Sequence, residues 1–280
     1  MQYYSTRNHA ALFSLQEAAF RGLAPDGGLF MPAVIPHADL EKVRELSECS
    51  FSELSRYLTR LFFGDELPET RTDAIAAGAC RFPVPLKQVG KDKYTLELFH
   101  GPTFAFKDIG AGFMGHALRE LSRTAGETII LTATSGDTGS AVANGFYGIE
   151  GVKVVILYPD GQVSGLQESQ MTTLGGNIFP LKVKGTFDDC QRIVKDIFSD
   201  ADFRREKRVT SANSINILRW IPQSFYYFHG WAQWVIATGR KRPGIVVPSG
   251  NYGNLAAGLL AAKMGLPVRR FIAAANANDT

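Results

Sequence analysis

A single lysine, Lys107, lies in an aromatic and nearly uncharged stretch between Glu97 and Asp108. Gly101 and Pro102 break this stretch as a turn. A lysine in such surroundings loses hydration, which disfavours its ammonium form and lowers its pKa. The neutral amine is the form that attacks a carbonyl cofactor to make a Schiff base. On local sequence alone, the commoner alternative is a lysine that extends its charge from an apolar strand end into solvent.

A glycine-rich loop follows a predicted strand far downstream. Residues 244–248 are β-branched and uncharged, as in a short buried strand, and a helix is predicted over 255–264. In the loop between them, backbone N–H groups and a helix dipole can converge on a phosphate, although a tight turn without a ligand is equally compatible. The candidate phosphate-binding residues are Gly250, Asn251, Tyr252, Gly253 and Asn254.

A second strand, turn and helix repeats this arrangement. The strand covers 128–134, and the helix begins after Asp137 and ends at Gly148. The small-residue turn between them can receive a carboxylate or phosphate, although Ser135 and Asp137 can instead cap the helix. Two anion-binding loops and one activatable lysine suggest a pyridoxal phosphate site that handles an amino acid. The proposed substrate-binding residues of this turn are Ser135, Gly136, Asp137, Thr138 and Gly139.

Four sequence motifs connect this interpretation with a known protein family. They are HGPTFAFKD at 100–108, TSGDTGSA at 134–141, SANSINILRWIPQ at 211–223 and PSGNYGN at 248–254. On these residues the chain resembles the threonine synthases, fold-type II pyridoxal phosphate enzymes related to the tryptophan synthase β subunit. The opening also fits the N-terminal domain of that family, in YYSTR at 3–7 and GLAPDGGLF at 22–30. The likeness covers the whole chain with the motifs in family order, which is more specific than any single motif.

The resemblance implies a reaction and a role for several residues. O-phospho-L-homoserine and water would give L-threonine and phosphate by γ-elimination followed by hydration at Cβ. Lys107 would hold pyridoxal phosphate and, once freed, act as the base at Cα. Many relatives have Asn where Asp137 stands, as a donor to the cofactor's ring oxygen. An ionised Asp cannot donate, so the contact is remade or another residue supplies it.

The motif at 211–223 contributes further candidates. Asn213 is a possible donor to the cofactor's ring oxygen in place of Asp137. Arg219 suits the substrate phosphate through bidentate geometry, unless it forms a structural salt bridge instead. The substrate contacts that we expect from this segment are Asn213, Ser214, Asn216 and Arg219.

Two other functions remain open at this point. One is a related pyridoxal phosphate-dependent phospho-lyase or dehydratase that stops at a 2-oxo acid and releases ammonia. The other is a non-catalytic, truncated form that binds ligand without turnover. Product analysis separates the first from a threonine synthase. The presence of Lys107 argues against the second, because a site without chemistry has no need of this amine.

Composition excludes several partners. The 280 residues are 45% hydrophobic and 20% charged, as in a globular protein of about two domains. The net charge is only +3, and the basic residues between 204 and 208 suit a solvated helix end, so we expect no nucleic-acid partner. No apolar run reaches membrane-spanning length, so we expect no membrane partner. The cysteines lack metal-ligand spacing and suit a reducing compartment, which predicts a cytoplasmic protein without a metal site; they are Cys49, Cys80 and Cys190. Oligomeric state is not predicted.

Strand and helix patterns alternate from Leu86 onward, which predicts an α/β fold with a parallel sheet and helices on both faces. The resemblance implies a fold-type II enzyme with an N-terminal domain at 1–85 and a catalytic region at 86–280. The catalytic region would have a small lobe at about 111–212 and a large lobe at about 86–110 plus 213–280. The chain ends just after a predicted strand, so we expect a fragment in which the C-terminal part of the large lobe is missing.

Overall fold

The computed structural model describes residues 1–122 and 127–275. Its strands are β1 (Tyr3–Ser5), β2 (Asn8–Phe13), β3 (Phe30–Pro32), β4 (Leu86–Gly90), β5 (Lys93–Leu96), β6 (Thr128–Ala133), β7 (Val152–Pro159), β8 (Ile178–Val183), β9 (Arg208–Ser211), β10 (Gly244–Pro248) and β11 (Arg270–Ala274). Its helices are α1 (Leu15–Arg21), α2 (Leu40–Cys49), α3 (Phe51–Phe63), α4 (Glu69–Ala79), α5 (Lys107–Leu121), α6 (Asp137–Phe146), α7 (Gly165–Thr172), α8 (Phe187–Ser199), α9 (Ala201–Glu206), α10 (Ile217–Trp220), α11 (Gln223–Thr238) and α12 (Gly253–Lys263). Within these ranges, no helix combines the length and the apolar character needed to cross a membrane.

The central sheet is parallel, as predicted, with the strand order β8-β7-β6-β9. Alternate residues of its strands enter two separate apolar clusters. Ile130 and Val154 belong to the main core, which also holds residues of α5 and α6. Leu131 and Leu157 belong to a smaller cluster with Val194 of α8. Helices therefore cover both faces of the sheet, and the predicted α/β architecture is confirmed.

Strands β10 and β11 form a second parallel pair, and α12 lies between them in the chain. The strand covers the residues predicted for it, whereas α12 begins at Gly253, two residues earlier than the sequence pattern indicated. The glycine loop is correspondingly shorter. Its last residues are already the first turn of the helix, where backbone N–H groups have no partner within the helix.

The N-terminal residues share one core with the rest of the chain. They form the antiparallel sheet β2-β1-β3 and helices α1 to α4. Phe63 of α3 packs on Phe113 of α5 with ring centroids 5.7 Å apart, and Phe113 packs edge-on against Phe225 of α11 at 5.9 Å. The aromatic run of α11 is therefore part of the core. The division at residue 85 and the lobe boundary near 110, which falls inside α5, stay predictions.

The sequence pattern did not indicate α5, because glycines interrupt its apolar residues. The structure shows what these glycines do. A Cβ on Gly115 would lie 2.4 Å from the carbonyl oxygen of Gly145 in α6, and a Cβ on Gly145 would lie 2.7 Å from the backbone of Ala111. The two helices therefore touch backbone to backbone. This contact packs the first half of α5 against the last turn of α6.

Replacing Gly115 with Ala should destabilise the fold, because the added methyl has no room between α5 and α6. We expect a loss of about 1–3 kcal/mol in the free energy of unfolding, measured by urea denaturation. Gly165→Ala is the matched control, because a Cβ there meets no atom within 4 Å in the described ranges. That change should be neutral or stabilising by about 0.4–1 kcal/mol. Equal stability of the two variants would contradict the backbone contact.

Candidate active site

Lys107 is the first residue of α5, and its side chain is only 18% exposed. Its Nζ lies 3.8 Å from Oδ2 of Asp137 and 5.9 Å from the ring centroid of Phe106. Burial lowers the pKa of Lys107 below its usual value, the nearby Arg219 cation lowers it further, and Asp137 opposes both effects. The direction agrees with the expectation from the sequence. The amine is therefore held between two opposing charges at a site with little water.

Asp108 holds the turn that leads into Lys107. Its Oδ2 accepts a hydrogen bond of 2.9 Å from the N–H of Thr103, and its Oδ1 accepts one from the Thr103 hydroxyl. A Cβ on Gly101 would lie 2.4 Å from Asp108 Oδ2, so only glycine fits there. Burial raises the pKa of Asp108, while the Thr103 hydrogen bonds and the Arg219 cation act against the rise. Within this turn Phe104 has φ +59° and is 66% exposed, a strained conformation for a side chain with a Cβ.

The turn at 134–139 is capped by a residue that the sequence analysis did not consider. Thr134 Oγ1 accepts hydrogen bonds of 2.9 Å from the N–H of Gly136 and 2.8 Å from the N–H of Gly139. The N-cap position belongs to Gly136, with φ +144° and no side-chain cap hydrogen bond. The capping role considered for Ser135 and Asp137 is therefore wrong. Ser135 is exposed and Thr138 is half-buried, so both remain accessible to a ligand.

Gln167 joins this turn to α7, and sequence reasoning missed it. Its Nε2 donates a hydrogen bond to Oδ1 of Asp137, the carboxylate whose other oxygen faces Lys107. A Cβ on Gly136 would lie 2.3 Å from Gln167 Oε1, so Gln167 fills the space that the glycine leaves. A signal was present. Gln167 lies in the first turn of the helix after β7, and first turns after neighbouring parallel strands meet at one edge of a sheet.

The segment after β9 links the two loops. Asn213 Oδ1 accepts a hydrogen bond from the hydroxyl of Thr132 at the end of β6, which leaves the Nδ2 amide to donate. Ser214 lies on the other side, because its Cβ is 3.3 Å from where a Cβ on Gly253 would be. The predicted residues of the turn at 134–139, of the segment at 211–216 and of the glycine loop therefore share one edge of the structure.

The glycine loop leads into the uncapped N-terminus of α12. The N-cap residue Tyr252 makes no side-chain cap hydrogen bond. The Asn254 side chain is held from behind, because its Oδ1 lies within hydrogen-bond distance of the hydroxyls of Tyr226 and Tyr227. Burial raises the pKa of both tyrosines, so both hydroxyls stay protonated. A Cβ on Gly250 would meet no atom of the described residues within 4 Å, so this part of the chain leaves space for a ligand beside the loop.

Asn216 is placed differently from the prediction. It is fully buried, and its Nδ2 donates 2.9 Å to the carbonyl of Ala19 in α1 and 3.3 Å to the carbonyl of Ser211. Its Oδ1 accepts 3.0 Å from the N–H of Leu218, which caps α10. These bonds occupy both ends of the amide. The geometry does not support the predicted substrate contact and favours a structural role.

Arg219 is also fully buried, which does not support the predicted contact with a substrate phosphate. Its Nη1 donates to the carbonyl of Ala212, while Nε and Nη2 have no hydrogen-bond partner among the described residues. The alternative salt bridge is not formed within 4.0 Å in the described part of the chain. Burial lowers the pKa of Arg219 to about 10, and Asp108 acts against this shift. Arg219 is therefore a charged group behind Lys107.

Comparison with known proteins assigns the fold to a class of enzymes. The family model described as "Pyridoxal-phosphate dependent enzyme" matches residues 81–280, and the model "Threonine synthase N terminus" matches residues 2–80. The chain belongs to the pyridoxal-phosphate-dependent enzyme family, and its α/β fold is of fold type II. The cofactor expected from the sequence, pyridoxal phosphate, is thus the cofactor of the family.

Among individual proteins, the chain is similar to threonine synthases. It is 47% identical to the threonine synthase of Haemophilus influenzae over 282 residues, and 46% identical to that of Escherichia coli over 280. Each match covers 100% of this chain and 65% of the relative, so the chain spans about two-thirds of their length. The crystal structure of the E. coli protein superimposes with a TM-score of 0.91 at 45% identity, covering 100% of this chain and 65% of that chain. The pyridoxal phosphate-bound threonine synthase of Brucella melitensis superimposes at 0.89, with 36% identity, 98% of this chain and 60% of that chain.

The residues present fit this cofactor. A carbonyl group needs an amine with a lowered pKa, and Lys107 has one. A phosphate needs converging backbone donors with space in front of them, and the start of α12 provides both beside Gly250. The assignment of the individual residues in these roles stays a prediction.

Asn216→Ala tests the structural role of this residue. Loss of its buried hydrogen bonds should lower the free energy of unfolding by about 1–3 kcal/mol, measured by urea denaturation. The matched control is Asn251→Ala at an exposed position, where we expect a change within about 0.5 kcal/mol. Unchanged stability of the Asn216 variant together with a raised KM for substrate would restore the predicted substrate contact.

Proposed function

We propose that the chain carries the cofactor and substrate site of a threonine synthase, a pyridoxal phosphate-dependent lyase. The reaction converts O-phospho-L-homoserine and water to L-threonine and phosphate. The similarity to threonine synthases along the whole chain supports the choice of substrate. The observation that carries the proposal is the position of the Lys107 amine at the start of α5. This amine is shielded from water, and its Nζ lies 3.8 Å from Oδ2 of Asp137.

In this proposal Lys107 holds the cofactor and then moves a proton. Bound pyridoxal phosphate supplies an electron sink for the substrate's Cα. The neutral Lys107 amine, favoured by burial, removes the proton from Cα. The backbone N–H groups at 250–254 and the dipole of α12 bind the cofactor phosphate. With Asp137 able only to accept, the Nδ2 amide of Asn213 is our candidate donor to the cofactor's ring oxygen.

The substrate would bind along the turn at 134–139. Its carboxylate is received by the N–H groups of Asp137 and Thr138, since Thr134 already accepts from those of Gly136 and Gly139, and by the accessible hydroxyls of Ser135 and Thr138. The carboxylate of Asp137 lies in the same turn and suits the substrate's amino group rather than its carboxylate. Ser214, beside the glycine loop, completes the proposed substrate contacts.

We keep the cytoplasm as the proposed location of the protein. The described thiols, Cys49, Cys80 and Cys190, are all free, which suits a reducing compartment.

A product assay tests this function. The chain with added pyridoxal phosphate should release threonine and inorganic phosphate in equal amounts from O-phospho-L-homoserine. Lys107→Ala should reduce the rate by at least a thousandfold, because both the attachment point and the base are lost. Release of a 2-oxo acid and ammonia instead of threonine would identify the lyase or dehydratase alternative. Absence of every product would overturn the proposal for this chain.

The pH at which the cofactor attaches is a separate prediction. Only the unprotonated amine reacts, so lowering the pKa of Lys107 moves its reactive range to lower pH. Attachment trapped by borohydride and mapped by peptide mass should therefore begin at lower pH at Lys107 than at the exposed lysines of the chain. Attachment at Lys107 only at the pH of exposed lysines would contradict the burial argument.

A further inference from the structure

We propose that Gln167 is a positioning residue for the reactive amine, because it holds the Asp137 carboxylate beside Lys107. The inference rests on the proposed function only in taking Lys107 as the reactive group. No motif that identifies the family contains Gln167, and it contributes from a different helix than either partner. Its role is to fix the position of the negatively charged Asp137 carboxylate.

The contacts of Gln167 define this role. Its Nε2 donates to Oδ1 of Asp137, while Oδ2 of the same carboxylate lies 3.8 Å from Lys107 Nζ. Its Oε1 accepts a hydrogen bond of 3.0 Å from the hydroxyl of Ser164, the N-cap residue of α7. The amide is thus fixed at both ends, with the donor directed at Asp137. Gly136 leaves room for it, because a Cβ there would lie 2.3 Å from Gln167 Oε1.

The backbone around Gln167 is tied to the helix that carries Asp137. The Ser140 hydroxyl of α6 donates 3.2 Å to the carbonyl of Gln167. One turn further along both helices, Asn144 Nδ2 donates 3.4 Å to the carbonyl of Gln170. The position of Gln167 relative to α6 is therefore set by the main chain, independently of the amide bond to Asp137.

Asp137 needs such a restraint, because its side chain is 52% exposed and can otherwise turn towards water. The charged groups that act on Lys107 are Asp137 on α6, Arg219 on α10 and, through Arg219, Asp108 on α5. If Asp137 turns away, burial and Arg219 act on the amine without opposition, and the pKa of Lys107 falls further.

Gln167→Leu removes the donor and keeps the approximate size. The readout is the rate at which an amine-specific acylating reagent labels Lys107 in the cofactor-free chain, followed against pH by peptide mass. We expect labelling at pH 7.5 to become at least about threefold faster, the change that half a pKa unit produces in the neutral fraction. Gln170→Leu on the same helix is the matched control and should leave the rate unchanged.

A double variant separates positioning from packing. Asp137→Asn should accelerate labelling about as much as Gln167→Leu, and adding Gln167→Leu to Asp137→Asn should have no further effect. A packing role would instead give additive losses of stability with no change in the pH profile. Gln167→Met supplies a second test if the leucine variant does not fold, because it also lacks the donor to Asp137 and should accelerate labelling to a similar extent.

An unchanged pH profile in Gln167→Leu, with a shifted one in Asp137→Asn, would overturn the proposal. So would equal acceleration by the Gln170→Leu control. The measurement needs neither cofactor nor turnover, so it is independent of the product assay. A shifted profile in a chain that makes no threonine would support the positioning role and reject the proposed function. If the chain makes threonine but Gln167→Leu leaves the pH profile of labelling unshifted, the proposed function would be supported and the positioning role rejected.

Discussion

The removal of Lys107 from water is the constraint on which the rest of the site depends. A buried ammonium is costly, so the charges around it decide whether the amine is protonated. Arg219 is fully buried behind it and is balanced in part by Asp108, while the partly exposed Asp137 stands in front. The buried charges are fixed by packing, and only the front charge can move. The protonation state of the Lys107 amine therefore depends on the residue that holds Asp137 in place.

The way the helices begin distinguishes the site from the scaffold. Helices α1, α2, α3, α7 and α8 each begin at a side chain that caps them, namely Ser14, Asp39, Ser50, Ser164 and Thr186. Helices α5 and α12 begin without a cap hydrogen bond from the side chain of the N-cap residue, and at α6 the N-cap is a glycine, so that Thr134 accepts from the N–H of Gly136 and Gly139 instead. Two further helices, α4 and α11, also lack a side-chain cap hydrogen bond, but each follows a proline. Uncapped N–H groups and the helix dipole favour an anion, so the start of α12 suits the predicted cofactor phosphate.

The sequence predicted the features that depend on local pattern. Strands β6 and β10 and helix α6 lie where β-branched runs and glycine turns predicted them, whereas strand β9 of the parallel sheet was not predicted and α12 begins two residues early. Helix α5 was missed because its glycines serve contact with α6 rather than turns. Asn216 and Arg219 carry residue types that suit a phosphate, yet both are fully buried. Depth of burial depends on how α1 and α5 pack on this segment, and no local pattern reports that.

The residues before position 85, which include no predicted site residue, help to determine where Lys107 and its neighbours lie. The carbonyl of Ala19 in α1 accepts hydrogen bonds from Asn216 and from Thr210, which fixes the segment carrying Asn213 and Ser214. Aromatic rings packed in tilted and edge-on contacts from α3 through α5 to α11 fix the helix that begins at Lys107. Both supports involve residues before position 85, Ala19 and Phe63, where the sequence analysis places no site residue. Since a displacement of about 1 Å at reacting atoms is costly, this region contributes to function by holding the lysine and its neighbours in register.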